Sequence, residues 1–293
     1  MKIADIYRRT QPAISFEFFP PKTDDAELKL FETVETLRPL KPSFVSVTYG
    51  AMGSTRSNTL RIVEQIKSKT GIEAAAHLTC VAHSRQEIEQ ILENLASRGI
   101  ENIVALRGDA PKGESGFRPP AHGFAHASEL VRFIKTHPKF GSRFSLAVAG
   151  YPEGHLECRD KKKDLEHLKH KVDQGADIVI TQLFFANREY FDFVERARAA
   201  GIGIPIVPGI MPVTHAAQIK RFAEMCGCVI PREMEERLAG LDNNPDAAEN
   251  YGIEYATRQC RELLDAGVPG LHFYTLNKSR ATLQIYRQLE LSR

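Results

Sequence analysis

The sharpest chemical feature of the chain is a glutamate set among aromatic residues, Ser15-Phe16-Glu17-Phe18-Phe19-Pro20-Pro21. Desolvation by such neighbours raises a carboxyl pKa, so that the group holds a proton near neutrality and can deliver it as a general acid. The competing reading is structural, a carboxylate paired with a Lys or Arg. A second feature is Arg107-Gly108-Asp109. Arginine offers a fork of donors, glycine lets the backbone approach a ligand, and aspartate orients or repels charge. The same tripeptide could be a plain salt-bridged turn. A third is the run Arg159–Lys171 (RDKKKDLEHLKHK), with six Lys or Arg against three acids. A solvated helix face and an anion seat at a helix N-terminus both fit it.

Other chemistries find no support. There is no G-x-S-x-G elbow, Walker loop or H-E-x-x-H. His167-x-x-His170 and Cys226-x-Cys228 lack further ligands at metal-site spacing, so no metal is expected. His122, His126 and His137 are expected at the surface.

These residues must be positioned by recurring elements. Eight short apolar runs read as strands: Ala13–Pro20, Phe44–Gly50, Ala74–Cys80, Asn102–Asp109, Ser145–Pro152, Asp177–Phe185, Pro205–Pro212 and Gly270–Leu276. Most are apolar on both faces, as parallel strands covered by helices require. Helical spacing fills the intervals at Asp24–Leu37, Ser57–Lys69, Ser84–Arg98, Ser128–Thr136, Lys162–Gln174, Asn187–Ala200 and Thr214–Met225. In Ser84–Arg98, Ile88, Ile91, Leu92 and Leu95 form one stripe, Ser84 and Glu87 make a capping box, and Gly99 follows the end. Eight alternating βα units predict an α/β fold, a (β/α)8 TIM barrel. Pro231–Ala239 and Asp246–Ala266 read as extra helices between strands seven and eight, around the turn Asp242-Asn243-Asn244-Pro245. Ala110–Gly123 reads as a long Gly/Pro-rich loop over strand four, and one domain over residues 1–293 is expected.

In such a barrel, chemistry collects at the C-terminal ends of the strands. Glu17, Thr48, Tyr49, His77, Thr79, Arg107, Asp109, Tyr151, Thr181, Gln182 and Tyr274 fall there, which predicts a large site for a polar ligand. Composition sets the outer limits. Lys and Arg total 39, Asp and Glu 37, and the net charge of +2 argues against a nucleic-acid binder. With 42% apolar and 26% charged residues the chain can bury a core. No apolar run is long enough to span a bilayer, the N-terminus lacks a signal-peptide core, and five irregularly spaced cysteines fit a reducing compartment. The expectation is a cytoplasmic protein that binds neither nucleic acid nor membrane.

Six segments, in order, carry a family resemblance: SFEFFPP (15–21), KPSFVSVTYG (41–50), HLTC (77–80), NIVALRGD (102–109), KVDQGADIVITQ (171–182) and HFYTLN (272–277). They resemble methylenetetrahydrofolate reductases, in the bacterial form that has only a catalytic domain. The resemblance implies that FAD takes a hydride from NADH or NADPH and passes it to 5,10-methylenetetrahydrofolate in a ping-pong scheme. The product, 5-methyltetrahydrofolate, feeds methionine synthesis. Glu17 resembles the general acid that protonates folate N10, giving a 5-iminium cation. Asp109 resembles a carboxylate close to both flavin and pterin. Thr48, Tyr49, His77, Arg107, Gly108, Ala127, Tyr151, His155, Asp164, His167 and Lys171 resemble FAD contacts. Gln182, Gln218 and Lys278 resemble folate contacts, and Phe222 the ring on which folate or nicotinamide stacks; spacing alone makes Phe222 helix core. A homo-oligomer is also implied. A reductase fed by another electron donor or a protein partner, and a non-catalytic flavin- or folate-binding barrel, remain alternatives.

Overall fold

A computed structural model describes residues 1–49, 56–109, 119–241 and 243–291. Its strands are β1 (Ala13–Phe18), β2 (Phe44–Val47), β3 (Ala74–Thr79), β4 (Asn102–Leu106), β5 (Ser145–Gly150), β6 (Ile178–Thr181), β7 (Ile206–Val207), β8 (Gly209–Ile210) and β9 (Gly270–Tyr274). They pair in the order β7-β6-β5-β4-β3-β2-β1-β9-β8, every pair parallel. β7 and β8 are halves of the expected seventh strand, parted by Pro208, which has no N–H for a ladder. One half pairs with β6 and the other with β9, so the sheet returns on itself as the expected (β/α)8 barrel. Side chains bind the seam. Thr181 Oγ1 accepts from Gly209 N at 3.0 Å, and the Tyr274 hydroxyl donates to the Thr181 carbonyl at 2.6 Å.

The helices follow the apolar spacing: α1 (Ile3–Arg9), α2 (Asp24–Leu37), α3 (Arg56–Thr70), α4 (Arg85–Ser97), α5 (Ala127–Thr136), α6 (Lys161–Asp173), α7 (Asn187–Ala199), α8 (Ala216–Cys226), α9 (Arg232–Ala239), α10 (Pro245–Asp265) and α11 (Arg280–Gln288). The α4 capping box forms as expected, with Ser84 Oγ accepting from Glu87 N and Glu87 Oε2 from Ser84 N. α9 and α10 are the extra helices before the last strand. α1 and α11 lie outside the repeat read from the sequence. Gly50 at the end of the expected second strand, residues 110–118 of the expected long loop, and Asp242 of the polar turn lie outside the described residues.

Strand alternation sorts the core. On β1, Ile14, Phe16 and Phe18 face the helices in the main core, and Ala13 faces the barrel interior with Phe44, Ala75, Val104, Ala147 and Ile178. α1 closes the bottom of that interior with Ile3, Ile6 and Tyr7. Its first amides are satisfied by the barrel itself, Ile3 N by Asn102 Oδ1 at 2.8 Å and Ala4 N by Ser145 Oγ at 3.2 Å. No helix among the described residues is long and apolar enough to cross a membrane.

α8, α9 and α10 share a third, smaller core that includes Met211, Val213, Ile219, Met234, Leu238 and Ala248. Gly252 of α10 lies so close to the chain entering α8 that a Cβ would fall 1.9 Å from the Val213 carbonyl oxygen. Gly252→Ala is therefore expected to cost about 1–3 kcal/mol by overpacking, read as a lower urea midpoint. An unchanged midpoint would show that α10 and the Val213 segment part freely.

Candidate active site

Glu17 is the last inward position of β1, and the residue is only 8% exposed. Three strands, β2 and β9 beside it and β3 one further on, supply its partners. In β2, Ser46 Oγ donates to Oε2 at 3.2 Å. In β9, His272 Nε2 lies 3.3 Å from the same oxygen. In β3, His77 Nε2 approaches the same oxygen to 3.1 Å, off the line of a good hydrogen bond. His272 is held from its other side by Ser15 Oγ, 2.8 Å from Nδ1, and by stacking on Phe44. A carboxylate can only accept, so the His272 proton belongs on Nε2; in the neutral ring, Nδ1 then accepts from the Ser15 hydroxyl.

The electrostatics correct the expectation from sequence. Burial does push the Glu17 carboxyl up, but His77 and His272 together outweigh it and hold the carboxyl well below the usual range. Phe16 and Phe18, which suggested an apolar pocket, alternate outward to the helices. The carboxylate is flanked instead by two imidazoles, not by the Lys or Arg of the structural alternative. His272 and Ser46 were missed. Their signal was polar residues inside apolar strand runs, one of them 255 positions away from Glu17.

The expected Arg107-Gly108-Asp109 corner follows β4. Gly108 has φ of +85°, and a Cβ there would meet Val81 Cγ1 at 2.7 Å, so only glycine fits. Arg107 binds Glu157, from the loop after β5, through both terminal nitrogens, and Asp109 stands exposed on the rim. The Tyr151 and His155 rings meet edge-on at 4.6 Å. Lys171 Nζ donates to the Ala149 carbonyl, and burial lowers its ammonium to about 8 against the opposing pull of Asp164. Burial likewise raises Asp164, with Lys171 and His167 acting against it, and lowers His155, with Arg107 adding to the effect.

The basic run thus resolves into parts. Asp160 caps α6 by accepting from Lys162 N and Lys163 N, so those two first-turn amides are not an open anion seat. Lys161, Lys162, Lys163 and His167 are exposed, while Asp164 is buried and Lys171 half-buried. Thr48 and Tyr49 follow β2 half-buried, with the Tyr49 hydroxyl 2.8 Å from His83 Nε2. Ala127 opens α5, half-buried.

The remaining expected residues belong to segments that follow β6, β8 and β9. Gln182, after β6, turns its Oε1 onto Leu183 N at 2.9 Å. Gln218 and Phe222 are one turn apart on α8; Gln218 accepts from the Thr214 hydroxyl, and Phe222 is half-buried against the third core. α8 ends at Cys226, where burial raises the thiol to about 11 and the Asp109 charge adds to it, which ties this helix to the β4 rim. Lys278, after β9, is exposed and lines a cavity of about 330 Å³ with Thr33, Thr214 and Tyr274.

Comparison with known proteins decides the family. The model of the methylenetetrahydrofolate reductase family matches residues 2–290. The chain belongs to the methylenetetrahydrofolate reductase family. It is 42% identical over 276 residues to the 5,10-methylenetetrahydrofolate reductase of Pectobacterium carotovorum subsp. carotovorum, covering 94% of this chain and 89% of that protein. To the protein of that name from Escherichia coli (strain K12) it is 41% identical over 276 residues, covering 94% and 90%. Methylenetetrahydrofolate reductase (NADH) 1 of Arabidopsis thaliana is 40% identical over 299 residues, covering 99% of this chain and 50% of that protein. The chain therefore spans about half the length of that plant relative. A Clostridium thermocellum protein that binds two copies of 5-methyl-5,6,7,8-tetrahydrofolic acid shares the fold, with a TM-score of 0.68 at 16% identity over 97% of this chain and 96% of that one.

The Glu17 cluster makes a prediction about acid stability. A carboxyl held below its ordinary value of 4.5 stabilises the folded protein above that value, and the contribution is lost as pH falls toward the folded pKa. Stability measured by urea midpoint should fall less steeply below about pH 4.5 in Glu17→Gln than in the wild type. Equal slopes would mean that the imidazoles do not bias the carboxyl.

Proposed function

We propose that the protein reduces 5,10-methylenetetrahydrofolate to 5-methyltetrahydrofolate, with FAD as hydride carrier and NADH or NADPH as donor. The observation that carries this is a buried carboxyl clasped by two imidazoles at the barrel mouth, beside a groove with a cationic fork, in a family named for the reaction. Plant relatives named for NADH favour NADH, and the folate-binding barrel from Clostridium thermocellum favours a folate at this mouth. The cytoplasm and methyl supply for methionine synthesis are the setting such a reaction implies.

The groove fits a flavin dinucleotide. Gly108 leaves a cradle that a Cβ would fill against Val81 and Thr79, Arg107 and Lys171 are cations for two phosphates, and Asp164 is an acceptor for a ribose hydroxyl. Thr48, Tyr49, His77, Ala127, Tyr151, His155 and His167 would complete the seat. When bound, the flavin supplies two-electron hydride chemistry that no side chain can. Gln182, Gln218 and Lys278 would orient the folate by its polar edges, with the Phe222 ring stacked on it. Reduced nicotinamide and folate would occupy this space in turn.

Glu17 would give its proton to folate N10, opening the five-membered ring to a 5-iminium cation. Burial pushes this carboxyl up while His77 and His272 hold it down, and a substrate ring closing the mouth would add to the burial side. Asp109, on the rim, would favour the cation that forms.

Anaerobic mixing with NADH and then methylenetetrahydrofolate tests the proposal through bleaching and recovery of the flavin band. Glu17→Gln should keep the first step and slow the second by at least about 10²-fold. A comparable loss in both would make Glu17 structural, and bleaching by dithionite but by neither nicotinamide would point to another donor. FAD affinity of the apoprotein should also weaken as pH rises through about 8, where Lys171 loses its charge. Lys171→Met should remove that dependence; its persistence would place the titration elsewhere.

A further inference from the structure

The groove already contains an anion of the chain's own. Arg107 Nη1 and Nη2 donate to the two oxygens of Glu157 at 2.6 and 2.7 Å, and Arg107 Nε donates to the Gly108 carbonyl at 3.2 Å. Two parallel bonds between planar groups are the strongest form of guanidinium recognition, and they use the edge that a phosphate would take. A tight turn delivers Glu157 to this place. Gly154, at φ of +91°, donates to the Tyr151 carbonyl at 3.1 Å, and Cys158 N donates to the His155 carbonyl at 2.9 Å. Glu157 N donates to His155 Nδ1 at 3.0 Å, which fixes the residue against the ring that packs on Tyr151. The Glu157 side chain is nevertheless 55% exposed, against 22% for Arg107, so it can leave without opening the core.

We propose that Glu157 is an internal competitor for Arg107, holding the guanidinium fork until a phosphorylated ligand displaces it. The inference rests on the dinucleotide reading of the groove. One edge of a guanidinium cannot serve a carboxylate and a phosphate with the same two bonds. Asp109 and Asp164 already bring negative charge to this groove, so a pyrophosphate that left Glu157 in place would add like charge to like. Gly154 bends the chain between β5 and α6, and with the Glu157 backbone held by His155 only the exposed carboxylate arm has to swing away from Arg107. Glu157 on this account sets how tightly the dinucleotide is held and leaves a flavin without phosphate ungated.

The test is a flavin titration of the full chain stripped of cofactor, followed by fluorescence quenching, with FAD and with riboflavin. Glu157→Gln keeps the size of the side chain and removes its charge. It should bind FAD about fivefold more tightly than the wild type, the effect of losing one well-formed ion pair, and bind riboflavin equally well. Unchanged or weaker FAD binding by Glu157→Gln, with FAD bound normally by the wild type, would overturn the competitor and leave the flavin reading standing. An equal gain for riboflavin would overturn it as a phosphate competitor. Failure of the wild type to bind FAD would overturn both.

Discussion

A carboxylate inside a barrel must be paired, and the pairing of Glu17 organises the inner face of four strands. An unpaired buried charge costs several kcal/mol. The barrel meets that demand through register: β1 sets Ser15 beside His272 and Glu17 beside Tyr274 on one flank, and Glu17 beside Ser46 on the other. His77 arrives from β3, two strands away. Only the pairing of the first strand with the last brings Ser15, Glu17 and His272 together, so the cluster exists because the sheet closes. The seam at Pro208, stitched by Thr181 and Tyr274, is part of the same arrangement, since Tyr274 also meets the His272 ring edge-on.

Around this cluster the elements divide the work by rigidity. The inward positions of strands hold Glu17, Ser46, His77 and His272, where backbone ladders fix the geometry. The groove between the ends of β4 and β5 is built from loop residues and one helix face: Arg107, Gly108, Tyr151, His155, Asp164 and Lys171. It mixes cations and anions at close range. α8, with Gln218 and Phe222, stands on a core of its own formed with α9 and α10.

Much of this was legible in the sequence, for physical reasons that also explain the rest. Periodicity is local, so the strands, the α2 bounds and the α4 capping box could be read directly. Pro208 breaks the seventh strand because the missing N–H matters only once the strand has neighbours on both sides. The environment of Glu17 was misjudged because adjacency in sequence is opposite to adjacency in a strand: Phe16 and Phe18 lie on the other face. What surrounds the carboxylate comes from β2, β3 and β9, and register across a closed sheet is not a local signal. The basic run allows two readings in sequence; in the fold Asp160 caps its helix, and Asp164 is its one buried charged member. The Arg107–Glu157 pair joins two loops and left no trace in spacing.

His77 and His272 hold Glu17 low in the open site, and the proposed function expects the carboxyl to be protonated when substrate covers the mouth. The infrared difference spectrum between wild type and Glu17→Gln, recorded with and without bound 5-methyltetrahydrofolate, tests this most directly. The account predicts a carboxylate band for Glu17 in the open protein and a protonated carboxyl band when folate is bound. A carboxylate in both states would contradict it, and so would a protonated carboxyl in the open site.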